Sequence, residues 1–272
     1  FFFISNSIKL LPINPKPPVT INFFIIYFFT LVESISIVEY TFHMSISRQN
    51  LTVIIVTFKS DMVIQNCINS INNDIKILII DNSNNQNFKN KIEKEYKNVS
   101  CILSEKNIGM GSANNLGIKN IKTDYALILN PDVTLEPDAI NEIIEASKKI
   151  DSFCIIAPLE KNKDYPNYKL DKKINIKSDQ EKPFRVKSVD GYAMLLNLKR
   201  INLLNDFQYF DENFFMYLEN DDLCKRLVEN SEKIYVVPKS KINHLGGKAG
   251  DQTFEYEIEL SRNWHWIWSK FY

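Results

Sequence analysis

The sequence has no net charge: 33 Lys and Arg stand against 33 Asp and Glu in 272 residues. Binding to nucleic acid by bulk electrostatics requires a basic surface, so no nucleic-acid partner is expected. Cysteine is scarce, with Cys67, Cys101, Cys154 and Cys224 lying 34, 53 and 70 residues apart. No CxxC pair supports a structural zinc, and the density is too low for a disulfide framework. Reduced, buried thiols in a cytoplasmic protein are the expectation. An apolar run of membrane-spanning length is also missing. Ile21–Val32 has 12 residues, where a helix needs roughly 20 to cross a bilayer. No small-residue cleavage site of a signal peptide follows it.

What is present is apolar and aromatic. With 18 Phe, 12 Tyr and 3 Trp the chain is not a solvated, disordered one, and its length suits a large α/β domain with a full core. Residues 1–43 stand apart. They hold 8 of the 18 Phe and no Gly, Ala, Asp or Met, and the first methionine is Met44. We read them as upstream sequence or an apolar extension, with translation starting at Met44; an interfacial membrane anchor is the alternative. Residues 44–272 are read as one domain.

From Leu51 the pattern is regular. Leu51–Thr57, Ile75–Asp81, Val99–Ser104, Tyr125–Asn130 and Phe153–Ala157 are predicted strands, rich in β-branched and other apolar residues as strands buried on both faces are. Helices are predicted over Asp61–Asn72, Phe88–Lys97, Met110–Ile121 and Leu135–Ile150, with Pro137 in the first turn of the last. Strand–helix alternation predicts an α/β fold with a mostly parallel central sheet and right-handed crossovers. A polar excursion, Glu160–Lys187, precedes a second half: Val189–Leu196, an aromatic stretch Asp211–Tyr217, a helix Glu219–Asn230, a strand Lys233–Val237 and His244 in a glycine-rich loop. Phe254–Tyr272 is predicted helical, with Trp264, Ile267, Trp268 and Phe271 on one face. That face suits core packing, a helix partner or a membrane surface. The sequence stops there without a cap, as a truncated chain would.

Ligands of open parallel sheets bind beyond the carboxyl ends of the strands, and four features fall there. Asp81 ends the second strand, where it either caps a turn or accepts hydrogen bonds from a nucleotide. The run Asn107–Gly117 (NIGMGSANNLG) opens a helix with Gly109 and Gly111, which allow backbone to approach a ligand and leave N–H groups for phosphate. A dinucleotide-binding fingerprint belongs directly after the first strand, where Phe58-Lys59-Ser60-Asp61 stands instead. The run Asn130-Pro131-Asp132-Val133 turns a carboxylate out at the sheet edge, in the manner of sites that hold Mg2+ or Mn2+ on phosphate oxygens. Last, aromatics lead into Glu219, Asp221 and Asp222 at a helix start, where the dipole favours ionised acids and one of them can act as a base. Capping accounts for one of the three. His244 is a structural histidine or a neutral imidazole ligand that meets Asp132.

In that order and spacing the motifs resemble family 2 glycosyltransferases of GT-A fold, in their rhamnosyltransferase-like branch, from Leu51 to the end. The resemblance implies inverting transfer of a sugar from a nucleoside-diphosphate donor to a saccharide or lipid-linked acceptor in cell-surface polysaccharide synthesis, on the cytoplasmic side, at the inner face of the membrane and in peripheral contact with it. It implies a nucleotide-binding half over about 51–158, an acceptor-binding half over about 185–250 and a C-terminal helix over about 254–272. Thr57, Asp81, Asn107, Gly109, Gly111, Asn114, Asn130, Asp132 and Gly191 would bind the nucleotide sugar. Asp132 and His244 would hold Mg2+ or Mn2+. Many relatives read Glu-Asp where this chain has Glu219 and Asn220, with the second acid as base. Here Glu219 is favoured as base, then Asp222, with Asp221 the remaining acid. Two alternatives stand beside this reading. A nucleotidyltransferase would want a glycine-rich basic loop after the first strand, and a catalytically decayed nucleotide-binding module would suit Asn220.

Overall fold

The strand Leu51–Thr57 (β1) is buried along its whole length, and everything else is arranged on either side of it. The structure, a computed structural model, describes residues 45–161, 165–170, 181–246 and 255–272. The extension at 1–43 and the middle of the polar excursion lie outside them. Val53 and Ile55 enter the core on one sheet face and Ile54 the core on the other, as the two-residue period of a strand requires.

The helix Ile64–Asn69 (α1) leads to Lys76–Asp81 (β2), then Gln86–Glu95 (α2), Val99–Leu103 (β3), Gly109–Lys119 (α3) and Tyr125–Leu129 (β4). Strands β1 to β4 are mutually parallel. The predicted helix Leu135–Ile150 divides. Val133–Leu135 is a short strand (β5), Pro137 and Asp138 form the turn after it, and the helix is Ala139–Ser147 (α4). Ile155–Glu160 (β6) follows, then Tyr168–Lys169 (β7), Phe184–Val186 (β8), Ser188–Val189 (β9), Ala193–Asn197 (β10) and Leu198–Ile201 (α5). Glu219–Glu229 (α6), Ile234–His244 (β11) and Glu255–Phe271 (α7) complete the order.

The main sheet runs β3-β2-β1-β4-β10-β6-β11-β5, with β8 also on β11. Strand β10 is antiparallel to both neighbours, β4 and β6. It thus wedges between two strands that the alternation alone would set side by side. Strand β11 is longer than the predicted Lys233–Val237. It bulges between Val237 and Lys241 against β6, then pairs antiparallel with β5, so His244 ends a strand rather than sitting in a loop. All four cysteines are buried and unpaired.

Helix α7 carries Trp264, Ile267, Trp268 and Phe271 as predicted, but these side chains face outward, 53% to 88% exposed. Among the described residues no helix is long and apolar enough to cross a membrane.

Candidate active site

The parallel strands deliver Thr57, Asp81 and Asn130 to one edge of the sheet. Register sets Thr57 beside Asp81, and the Thr57 hydroxyl donates to Asp81 Oδ1 at 3.0 Å. Ser83 Oγ donates to both carboxylate oxygens at 2.8 Å, and the Asn85 N–H to Oδ2 at 2.9 Å. Asp81 therefore caps the turn into α2, and Thr57 and Ser83 orient it. Neither Asn82 nor Ser104 stood out in the sequence. Ser104 Oγ donates to Asn82 Oδ1 at 2.9 Å, and Asn82 Nδ2 donates to the Gly109 carbonyl at 3.2 Å. Their one signal is position, directly after β2 and β3.

The glycines of Asn107–Gly117 permit a close approach, and it is to protein. Exposed Asn107 accepts the Gly109 N–H through its side chain at 3.1 Å. Gly109 has φ +83°, and a Cβ there would lie 2.3 Å from the Phe215 carbonyl oxygen, which accepts the Met110 N–H at 2.8 Å. A Cβ on Gly111 would press on the Asp211 and Phe214 carbonyls at 3.2 and 3.3 Å. Asn115 adds a two-way clamp on the Phe210 main chain, accepting its N–H at 3.0 Å and donating to its carbonyl at 2.8 Å. Helix α3 is thus pinned to the aromatic segment of the second half. Asn114 is buried on the same helix with Oδ1 unpartnered.

Asp132 and His244 meet. Val133 of β5 pairs with His244 of β11, which sets Asp132 Oδ2 3.5 Å from His244 Nε2. Asp132 is 3% exposed, and its Oδ1 has no partner; nor has Oδ1 of Asn130. The Tyr192 ring stacks on His244 at 4.0 Å and 27°. Its hydroxyl donates to Glu160 Oε2 at 2.5 Å, and its carbonyl accepts the Asn130 N–H at 2.8 Å. Tyr192, absent from the sequence reading, therefore braces both the histidine and the Asn130–Asp132 turn. A buried carboxylate oxygen without a donor, beside an imidazole, fits a hard divalent cation. Among the described residues no group of three or more His, Cys, Asp or Glu converges, so phosphate and water oxygens would complete the shell.

The three acids of α6 are not equivalent. Asp221 accepts Lys169 Nζ at 2.6 Å. Asp222 accepts Arg226 Nε at 2.7 Å, while the same guanidinium donates to the Gln208 and Tyr209 carbonyls. Glu219 is 8% exposed, and its Oε2 has no partner. Burial pushes its pKa up to about 7, with the Asp221 charge adding to the rise and a hydrogen bond from its own N–H opposing it. The helix dipole is worth roughly 0.3–1 kcal/mol and loses here to desolvation. Asn220 Nδ2 donates to the Val189 carbonyl at 2.8 Å, and Gly191 lies under it, its Cβ position 3.1 Å from Asn220 Cβ. Asp190, also missed, has its pKa raised by burial, by Asp221 and by Glu160, against Lys169 and His244. The charges around it thus include Asp221 of α6 and His244. Its only sequence signal is an acid preceding Gly191 at the head of β10.

Residues 52–225 match the model of glycosyl transferase family 2. The chain belongs to this family. A relative, the low-salt glycan biosynthesis hexosyltransferase Agl10 of Haloferax volcanii, is 25% identical over 230 residues, 78% of this chain and 72% of the relative. Among solved structures, GalNAc-T7 with UDP, GalNAc and Mn2+ superposes with a TM-score of 0.60 at 16% identity, over 74% of this chain and 44% of that one. Residues 1–349 of S. aureus TarS superpose with a TM-score of 0.52 at 16% identity, over 71% and 60%. The chain spans less than two thirds of either structure, and at these identities the likeness is one of fold. That fold is GT-A, and the chain is a family 2 glycosyltransferase.

Proposed function

We propose that this glycosyltransferase moves a hexose or deoxyhexose from a nucleoside-diphosphate donor to a hydroxyl of a saccharide or lipid-linked acceptor, with inversion, in cell-surface glycan synthesis. The observation that carries the reading is the sorting of the three acids: Asp221 and Asp222 are held by cations, and Glu219 alone is buried with an unpartnered oxygen. A base must reach the reacting hydroxyl unpaired and ionised. The hexosyltransferase Agl10 supports the substrate class, and the GalNAc-T7 structure containing UDP and Mn2+ supports the donor and the metal.

Thr57 and Asp81 would take the nucleoside, Asp81 exchanging internal donors for ligand ones. Asn107 and Asn114 would border the donor at the head of α3, whose Gly109 and Gly111 serve the site by letting the helix pack on the aromatic segment, with Asn130 and Gly191 bordering the sugar. Asp132, with His244, would hold Mg2+ or Mn2+. When bound, such a cation offsets charge on the departing diphosphate. Glu219 would take the acceptor proton as its oxygen attacks the anomeric carbon from the face opposite the leaving group, which inverts configuration. Residues 44–272 would act as one unit, on the cytoplasmic side. A lipid-linked acceptor would bring the outward aromatic face of α7 to the membrane surface.

The test is incubation of the protein with a panel of nucleotide sugars, with and without Mn2+, reading release of nucleoside diphosphate and glycosylated acceptor by mass spectrometry. Metal-dependent release from one donor is expected. No turnover of any donor with metal present would leave a binding module only.

A further inference from the structure

Helix α7 grips four consecutive residues of the segment that leads into Glu219. The Tyr272 ring, just past its end, meets Phe214 edge-on at 5.1 Å and 88°. His265 stacks on Phe215 at 4.4 Å and 21°. Ser269 Oγ donates to the Met216 carbonyl at 3.0 Å, and Trp266 meets Tyr217 edge-on at 5.7 Å and 78°. The Tyr272 hydroxyl also donates to Asp211 Oδ2 at 3.1 Å and accepts from Asn213 Nδ2 at 2.9 Å. At 100° per residue, His265, Trp266 and Ser269 fall within about 100° of one another on one side of the helix, turned away from Ile267 and Phe271. Burial lowers the pKa of His265.

The gripped segment is strained. Tyr217 and Leu218 have φ of +71° and +65°, two left-handed residues in succession with no glycine. Such residues are costly and persist only where their surroundings over-determine them. From the other side, α3 reaches this segment through the Phe215 carbonyl. The next two residues, Met216 and Tyr217, meet Ser269 and Trp266 of α7. Glu219 comes directly after the strained pair.

We propose that α7 is a positioning element of the transfer site: His265, Trp266 and Ser269 hold Phe215–Tyr217, which keeps Tyr217 and Leu218 left-handed and the Glu219 carboxylate buried and unpaired. The proposal rests on Glu219 as the base. Its residues touch no substrate and act through the backbone that aims the acid. Their loss therefore reduces turnover and leaves donor binding, at Thr57, Asp81 and Asp132, intact.

The test compares the double variant His265→Ala/Trp266→Ala with His265→Phe/Trp266→Phe and Ser269→Ala in the full chain. Readouts are kcat, donor KM and the Kd for nucleoside diphosphate by calorimetry. The alanine double variant is expected to lose roughly 10-fold or more in kcat, by analogy with positioning losses at a base, with KM and Kd within about twofold. The phenylalanine pair, which keeps both ring contacts, recovers most of kcat. Unchanged kcat in the alanine variant, or kcat and Kd falling together, would overturn the proposal. If the double variant does not fold by circular dichroism, Ser269→Ala decides: unchanged kcat there overturns it. Glu219→Gln is measured in parallel. Full turnover in that variant removes the base reading and this proposal with it, whereas a dead Glu219→Gln beside a fully active alanine variant removes only the role of α7.

Discussion

Val133 stands opposite His244 in the antiparallel pairing of β5 with β11, and this register sets Asp132 Oδ2 3.5 Å from His244 Nε2. A slip of one residue would turn the histidine to the other face of the sheet. Strand β5 has three residues, and its partner ends at His244, so the pairing does little for the sheet as a whole. Its effect is to bring a buried carboxylate against an imidazole.

That pair gives the first expectation. Asp132→Asn keeps the side-chain volume and removes the charge. Nucleoside diphosphate should bind the parent protein at least 10-fold more tightly with Mn2+ than with EDTA, and the variant should lose this gain while its metal-free affinity stays within about twofold, since one charged ligand of a divalent ion is worth at least that much. Calorimetry with and without metal measures both. An undiminished metal effect in the variant would place the cation elsewhere.

Glu219→Gln should lower kcat by roughly 10²-fold or more, the usual contribution of a positioned base, with donor KM little changed. In the proposed mechanism the ionised form is the active one, and burial pushes the group up to about 7. In the parent protein kcat should therefore rise with pH and reach half its plateau near that value. A flat profile between pH 5 and 8 would assign the proton to another group.

The same burial has a stability consequence of definite sign. An acid whose pKa is raised from 4.5 to about 7 on folding stays protonated in the native state while the unfolded chain has released its proton. Native protein binds more protons in that window, so stability falls as pH rises. The contribution is fully present below about 4.5 and lost through about 7. Glu219→Gln has no such dependence. Its stability relative to the parent should improve by about 3 kcal/mol between pH 4.5 and 7.5, at 1.36 kcal/mol per unit, and then level off. Urea unfolding at a series of pH values reads this directly.

How much of this the sequence shows depends on distance along the chain. Strand β1 is legible because all seven of its residues are buried and the run itself is β-branched. The bond between Asp222 and Arg226 follows from four-residue helical spacing. Lys169 on Asp221 spans 52 residues, and nothing local announces it. The glycines of α3 advertise a close approach without naming Phe215 as the neighbour. Strand β5 hides because Leu135 also fits the periodicity of the helix that follows, four and eight residues before Ala139 and Ile143, and only the β11 partner decides. The antiparallel insertion of β10 is a property of the sheet as a whole, which strand–helix alternation leaves open.

The family resemblance implies a second acid where Asn220 stands, and restoring that acid is the obvious repair. The structure argues against it. Asn220 Nδ2 donates to the Val189 carbonyl at 2.8 Å, tying the first turn of α6 to β9. An aspartate there would turn a carboxylate oxygen onto a carbonyl oxygen, with Gly191 beneath it and Asp190 and Asp221 one residue from the pair. Loss of the bond leaves a buried acceptor unpaired at roughly 1–3 kcal/mol, and the added negative charge raises the cost. Asn220→Asp should therefore be less stable in urea by about that amount and no faster than the parent at any pH. A variant with kcat raised several-fold would mean that the acid belongs at 220 and that Glu219 serves only to start the helix.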